Sequence, residues 1–318
     1  MKTSPVTFED MARSVIAVPP LARNADLTVN QAENKKLVQH LQAGGVTTLL
    51  YGGNANFYNL GLYEYADLLS MLAEIAAPES LVIPSAGPDF GKLMDQMFIL
   101  KGLNFPTVMV LPLSFPTTTA GVETGIRRFA EAYGRPIILY IKFEEGYLKP
   151  DGVRRLVDDG LVSAIKYALV RDNPAEDSYL TRLVDIVDPR YIVSGVGERP
   201  AIVHLRDFGL NGFTSGSVCI ASNASTKLLQ ALQGGNYLAA EEIRQRFLSF
   251  EDLRDSISPI RVLHEAVRLV GIADTGPMLP MLAGLPDNQA KDVANAAREL
   301  LAYSDPEYRL AALAPDAS

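Results

Sequence analysis

Apolar runs of five to eight residues alternate with amphipathic stretches at an interval of about 30 residues. Eight runs read as strands: "SVIAVPP" (14–20), "VTTLLYGG" (46–53), "SLVIPSAG" (80–87), "TVMVLPLS" (107–114), "PIILYIK" (136–142), "VSAIKYAL" (162–169), "YIVSGVG" (191–197) and "GFTSGSV" (212–218). Helical patterns fill the gaps. In "AENKKLVQHLQAGG" (32–45), Leu37 and Leu41 share a face and a glycine pair stops the helix. "FGKLMDQMFILKGLN" (90–104) and "GVETGIRRFAEAYG" (121–134) read the same way. Strand–helix alternation at this spacing predicts βαβ units and a parallel sheet. Eight units in about 220 residues predict an α/β chain folded as a (β/α)8 TIM barrel. A doubly wound open sheet is the alternative, but the first βα junction, "VPPLARNADLTVN", has no glycine-rich phosphate turn. Beyond about residue 222 only helical patterns remain, so the chain divides into a barrel over 1–230 carrying the active site and a C-terminal helical domain over 231–318.

The bulk numbers exclude several classes. Of 318 residues, 48% are hydrophobic and 21% charged, enough for a large core. A net charge of -8 with no basic cluster argues against nucleic-acid and anionic-membrane partners. The single cysteine, Cys219, cannot form an internal disulfide, and "MKTSPVTFEDMARS" has no signal-peptide core, so a cytoplasmic location is expected. No apolar stretch reaches transmembrane length. The three histidines, His40, His204 and His264, are scattered, so no metal site is expected. No nucleotide-binding glycine motif occurs.

Lys166 interrupts one of the apolar runs, "LVSAIKYALV". Desolvating an ammonium is costly, so its head either reaches water from a strand end or sits in a dry pocket as an amine that loses its proton near neutral pH. The barrel favours the second reading, because barrel chemistry gathers at the C-terminal ends of the strands. Tyr140, near the end of the neighbouring run, is either a core aromatic or a proton-shuttling phenol; beside Lys166 the second is preferred.

Several stretches together resemble the dihydrodipicolinate synthase / N-acetylneuraminate lyase family of class I aldolases and dehydratases. "YGGNANFYNLGLYEYADLL" stands where the family has its GTTGE-type loop. "PIILY" resembles the strand ending in the catalytic tyrosine, "VSAIKYA" the strand with the Schiff-base lysine, "GLNGFTSGSVCIAS" the glycine-rich eighth strand, and "GPMLPMLAGL" a C-terminal family motif. The resemblance implies a TIM barrel with C-terminal helices, and a homo-oligomer, dimer or tetramer. It implies that Lys166 forms an imine with pyruvate or another 2-oxo acid, that Tyr140 relays protons, and that no separate cofactor is needed. Gly52, Gly53 and Asn54 would hold the substrate carboxylate, with Thr214 and Ser215 lining the same pocket.

The chain also departs from the family. The loop threonines fall at Gly53 and Asn54, and the loop glutamate at Asn56. Near the expected second relay tyrosine there is Ser114 but no tyrosine. After Tyr140 come Lys142, Phe143, Glu144 and Glu145, without the arginine that the synthases use for a distal carboxylate. True dihydrodipicolinate synthase activity is therefore not expected. Lys142 and Glu144 are read as substrate contacts, the acidic pair either meeting a hydroxyl-rich substrate or lying on a solvated loop. The expected function is a lyase that performs aldol cleavage, condensation or dehydration on a 2-oxo acid. A non-catalytic 2-oxo acid or sugar-acid binding protein is the alternative. Cys219, Tyr51, Phe57 and Tyr58 read as packing residues, Glu198 and Arg199 as candidates for the pocket rim, and Pro277 and Pro280 as shaping a turn.

Overall fold

The computed structural model describes residues 1–305 and 307. All eight predicted runs contain strand: β1 Ile16–Ala17, β2 Thr48–Leu50, β3 Leu81–Ile83, β4 Ser85–Ala86, β5 Met109–Val110, β6 Ile137–Ile141, β7 Val162–Tyr167, β8 Ile192–Ser194 and β9 Gly212–Ser215. The third run is split into β3 and β4 by Pro84, which has no N–H to give to the ladder. Its carbonyl still accepts from Met109 N at 2.9 Å. The order is β3-β2-β1-β9-β8-β7-β6-β5-β4, all pairs parallel, with β1 closing on β9 through Ile16↔Thr214 and Ala17↔Ser215. Since β3 and β4 are two pieces of one strand, the ring closes as a (β/α)8 barrel, and β7 is its sixth strand.

A short helix, α1 (Phe8–Ala12), precedes β1. The outer helices are α2 (Gln31–Ala43), α3 (Leu62–Ile75), α4 (Phe90–Gly102), α5 (Thr119–Tyr133), α6 (Pro150–Asp158), α7 (Ser178–Ile186), α8 (Ala201–Asp207) and α9 (Ser222–Gln233). Their ends follow local chemistry. The side chains of Asn30, Asp89, Thr118 and Asp177 accept the first free N–H groups of α2, α4, α5 and α7, and Pro150 opens α6. On α2 the buried face is Asn34, Leu37, Val38 and Leu41, the i, i+3, i+4, i+7 stripe that faces a sheet. Gly44 and Gly45 end it, the latter at φ 85°.

Three more helices follow, α10 (Tyr237–Ser256), α11 (Pro259–Leu269) and α12 (Asp287–Ser304). Helix α9, within which residue 230 falls, packs against α2 on one side and α10 on the other. Among the described residues no helix is long and apolar enough to cross a membrane.

Side-chain parity on β7 is settled by Tyr167. Its hydroxyl donates to Asp177 at the head of α7, and its ring packs edge-on to His204 of α8. Tyr167 therefore faces the helices, and its neighbour Lys166 faces the barrel interior.

Candidate active site

A cavity of about 600 Å³ opens at the C-terminal ends of the strands, within the size range of small-molecule sites. Lys166 and Tyr140 both line it. They are register partners on β7 and β6, and Lys166 Nζ lies 4.5 Å from the centre of the Tyr140 ring. Both are buried, at 5% and 8% exposure, so neither head is a snorkelling surface group. Burial, then the charges of Lys142 and Arg254, pull the Lys166 amine down to about 7. That is the range in which a lysine is a nucleophile at physiological pH. Burial pushes the Tyr140 phenol up to about 12, so it stays a proton donor at neutral pH.

The other predicted residues divide. Gly53, Asn54, Lys142 and Thr214 line the cavity with the pair. Asn54 is held by its side-chain amide donating to Val18 O at 2.8 Å. Lys142 Nζ stands 5.9 Å from the centre of the Tyr140 ring, and burial lowers its pKa too. Gly52, Ser215 and Glu144 are not among the lining residues. Gly52 sits beneath the loop, where a Cβ would meet Met109 Cε at 2.8 Å. The Ser215 hydroxyl accepts from Val218 N at 2.9 Å, which secures the turn after β9. The Glu144 carboxylate turns to Arg171, so the acidic pair does not converge on the cavity. Tyr51 and Phe57 are fully buried packing residues, but Tyr58 lines the cavity close enough for Tyr140 to raise its phenol pKa further. Cys219 is fully buried, which pushes its thiol up and leaves it a packing residue. Ser114 and Arg199 also line the cavity.

Charged lining residues that were not anticipated include Arg171, Glu251 and Arg254. Arg171, just past β7, is tied to Glu144 and to the fully buried Asp177 carboxylate. Glu251 and Arg254 come from α10, one turn apart. Glu251 Oε1 accepts from Glu198 N at 3.1 Å, and Ser225 Oγ donates to the Glu198 carboxyl. Burial, then the Glu198 charge beside it, hold the Glu251 carboxyl well above the usual carboxylate range. Gly197, at φ 79°, makes room, since a Cβ there would stand 2.4 Å from Glu251 Oε1. A larger open groove of about 1100 Å³ runs past α10 and α12 and shares Arg171, Arg199 and Asp255 with the cavity rim, but it lacks the lysine. Among the described residues no group of three or more His, Cys, Asp or Glu side chains is placed to hold a metal ion.

The sequence profile of the Dihydrodipicolinate synthetase family matches residues 11–299. The chain belongs to the dihydrodipicolinate synthetase family. Family members are Schiff-base lyases that take small 2-oxo acids, and the barrel with C-terminal helices described above is their fold. Dihydrodipicolinate synthase from Bacillus clausii superposes with a TM-score of 0.80 at 22% identity, over 90% of this chain and 97% of that one. YagE, an Escherichia coli K12 prophage protein of the family solved with pyruvate, superposes at 0.78 and 20% identity, over 90% and 98% of the two chains. A monomeric dihydrodipicolinate synthase variant superposes at 0.80 and 18% identity, over 93% and 99%. At these identities the likeness is one of fold. A search of curated protein sequences returns no match.

Proposed function

We propose that this family member is a class I lyase whose nucleophile is Lys166. The neutral amine attacks C2 of pyruvate or a longer 2-oxo acid, and loss of water leaves an imine. Tyr140 supplies the proton that the departing hydroxyl needs and takes protons back in later steps. The protonated imine is an electron sink. It accepts the pair released when the C4 hydroxyl gives up its proton and the C3–C4 bond breaks, or when C3 loses a proton; in dehydration the enamine then returns that pair and the C4 hydroxyl, once protonated, leaves as water. Aldol cleavage, its reverse and dehydration thus share one intermediate, and the covalent lysine makes a separate cofactor unnecessary. The synthase reaction itself is not part of this reading, because no arginine follows Tyr140 in the loop from Lys142 to Glu145.

The observation that carries the proposal is the buried Lys166 amine, brought down to about 7, against the Tyr140 ring. Borohydride trapping tests it. Incubation with pyruvate or longer 2-oxo acids and reduction should leave one adduct, mapped to Lys166 and missing from Lys166→Ala. No adduct with any 2-oxo acid on folded protein would leave the alternative, a protein that binds 2-oxo acids or sugar acids without turning them over. The absence of side-chain hydroxyls at Gly53 and Asn54 is what favours that alternative. Assembly into a dimer or tetramer belongs to the proposal as well. Phe115, next to the cavity-lining Ser114, is 82% exposed, and a partner subunit would cover it. Sedimentation equilibrium decides between monomer and oligomer.

A further inference from the structure

Arg254 reaches the barrel mouth from α10, and its bonding is incomplete. Its Nη1 donates to Ser217 Oγ at 3.2 Å, and its buried Nε has no hydrogen-bond partner. Among the described residues no carboxylate makes an ion pair with it. The other two cavity arginines are neutralised, Arg171 by Glu144 and Asp177, Arg199 by Asp252 and Asp255. Glu251, one turn before it on α10, has its carboxyl pushed well above the usual carboxylate range by burial and by Glu198. Among the described residues Arg254 is therefore a cation with no ion-pair partner, in a chain whose net charge is -8.

Its position is defined by Gly216. A Cβ there would stand 2.6 Å from Arg254 Nη2 and 2.9 Å from Asn54 Nδ2. The guanidinium and the Asn54 amide thus meet over the bare Cα of Gly216 and place two donors side by side. Asn54 uses one amide N–H on Val18 O and keeps the other. The Arg254 charge also reaches Lys166, where it is the third contribution to the lowered pKa after burial and Lys142.

We infer that Arg254, with Asn54 beside it over Gly216, is the anchor for the C1 carboxylate of the 2-oxo acid. The inference rests on the reading of Lys166 as the imine-forming residue. C1 is bonded directly to C2, so its carboxylate must lie within reach of the lysine that attacks C2. A planar guanidinium with free donors matches a carboxylate in charge and in geometry. Once the imine is protonated, the carboxylate lies between two cations. Neutral 2-oxo compounds and simple aldehydes gain nothing from Arg254, so the anchor selects 2-oxo acids from other carbonyls.

The test compares pyruvate with its neutral amide, pyruvamide, in the wild type, Arg254→Met and Arg254→Lys. Half-maximal trapping should need about 10- to 100-fold more pyruvate in Arg254→Met, the loss expected for a charge-assisted bond, while pyruvamide loses only the small part that the missing charge causes at Lys166. Arg254→Lys should recover part of the loss, because the charge returns without the fork. Gly216→Ala, whose new Cβ pushes the guanidinium aside, should weaken pyruvate in the same direction and covers the case in which Arg254→Met does not fold. Equal losses for pyruvate and pyruvamide, or no loss for either, overturn the anchor and leave the imine reading intact. If the wild type traps nothing, calorimetry with lactate takes over, since lactate has the carboxylate but no carbonyl. Lactate binding that Arg254→Met abolishes supports the anchor without the imine. Lactate binding that is absent or unaffected overturns it.

Discussion

Tyr140 and Lys166 face each other across neighbouring parallel strands as direct register partners, with Lys166 Nζ 4.5 Å from the centre of the tyrosine ring. The register fixes this pair to the backbone, so the distance does not depend on a loop. In the proposed mechanism the nucleophile and its proton donor thus sit on two ladder-bonded strands, held in place before any substrate arrives.

The lysine sets a pH dependence. Its amine titrates at about 7, so imine trapping with pyruvate should rise through that pH and level off above it. The Lys142 charge is the second cause of the lowered value. Lys142→Met should move the midpoint to higher pH, read as trapping rate against pH. An unmoved midpoint would sink the assignment of that limb to Lys166.

The same burial costs stability. The folded-state pKa lies below the value of 10.5 for a free lysine, so between about pH 7 and 10.5 the unfolded chain binds the extra proton and stability climbs with pH. Below that window the full penalty applies, of order 5 kcal/mol as an upper bound from the size of the shift. Lys166→Met should unfold at higher temperature than the wild type at pH 6 and lose most of the climb towards pH 10. Thermal scans at both pH values check this, and a less stable variant at pH 6 contradicts it.

Tyr140→Phe removes one oxygen and keeps the ring. Among the described residues the phenol makes no hydrogen bond, so the melting temperature should hardly change. Trapping should slow by about 10²- to 10⁴-fold if the phenol carries the proton. An unchanged rate would show that another group lining the cavity, such as Tyr58, does the work.

The Glu198–Glu251 pair predicts the opposite slope. Glu251 holds its proton in the folded chain at pH values where the unfolded chain has released it. Stability contributed there falls as pH rises above the ordinary carboxylate range. Glu251→Gln keeps an acceptor for Glu198 N and cannot ionise. It should match the wild type near pH 5 and exceed it near pH 9, which denaturant titrations at the two pH values measure.

The placement of Lys166 and Tyr140 at the cavity was legible because both lie inside strands, where alternation alone tells which side chains enter the barrel. The barrel itself was legible because its signal repeats eight times. Glu144 was read into the pocket because its partner, Arg171, lies 27 residues on and no local pattern ties the two. Ser215 has the right strand and the wrong direction, since its hydroxyl serves the following turn. Arg254 and Glu251 lie on a helix whose pattern shows that it packs, while which of its residues overhang the mouth depends on contacts to Gly216 and Gly197, 38 and 54 positions earlier. Such pairings are tertiary, and composition and periodicity carry no trace of them.

Helix α10 overhangs the barrel mouth from a point in the chain well after the last strand. During synthesis, every barrel strand through Ser215 is made before Glu251 and Arg254 exist. The strands that carry Lys166 and Tyr140 thus precede the residues that finish the rim above them. The rim around Lys166 is complete only once α10 has been made and packed over the barrel.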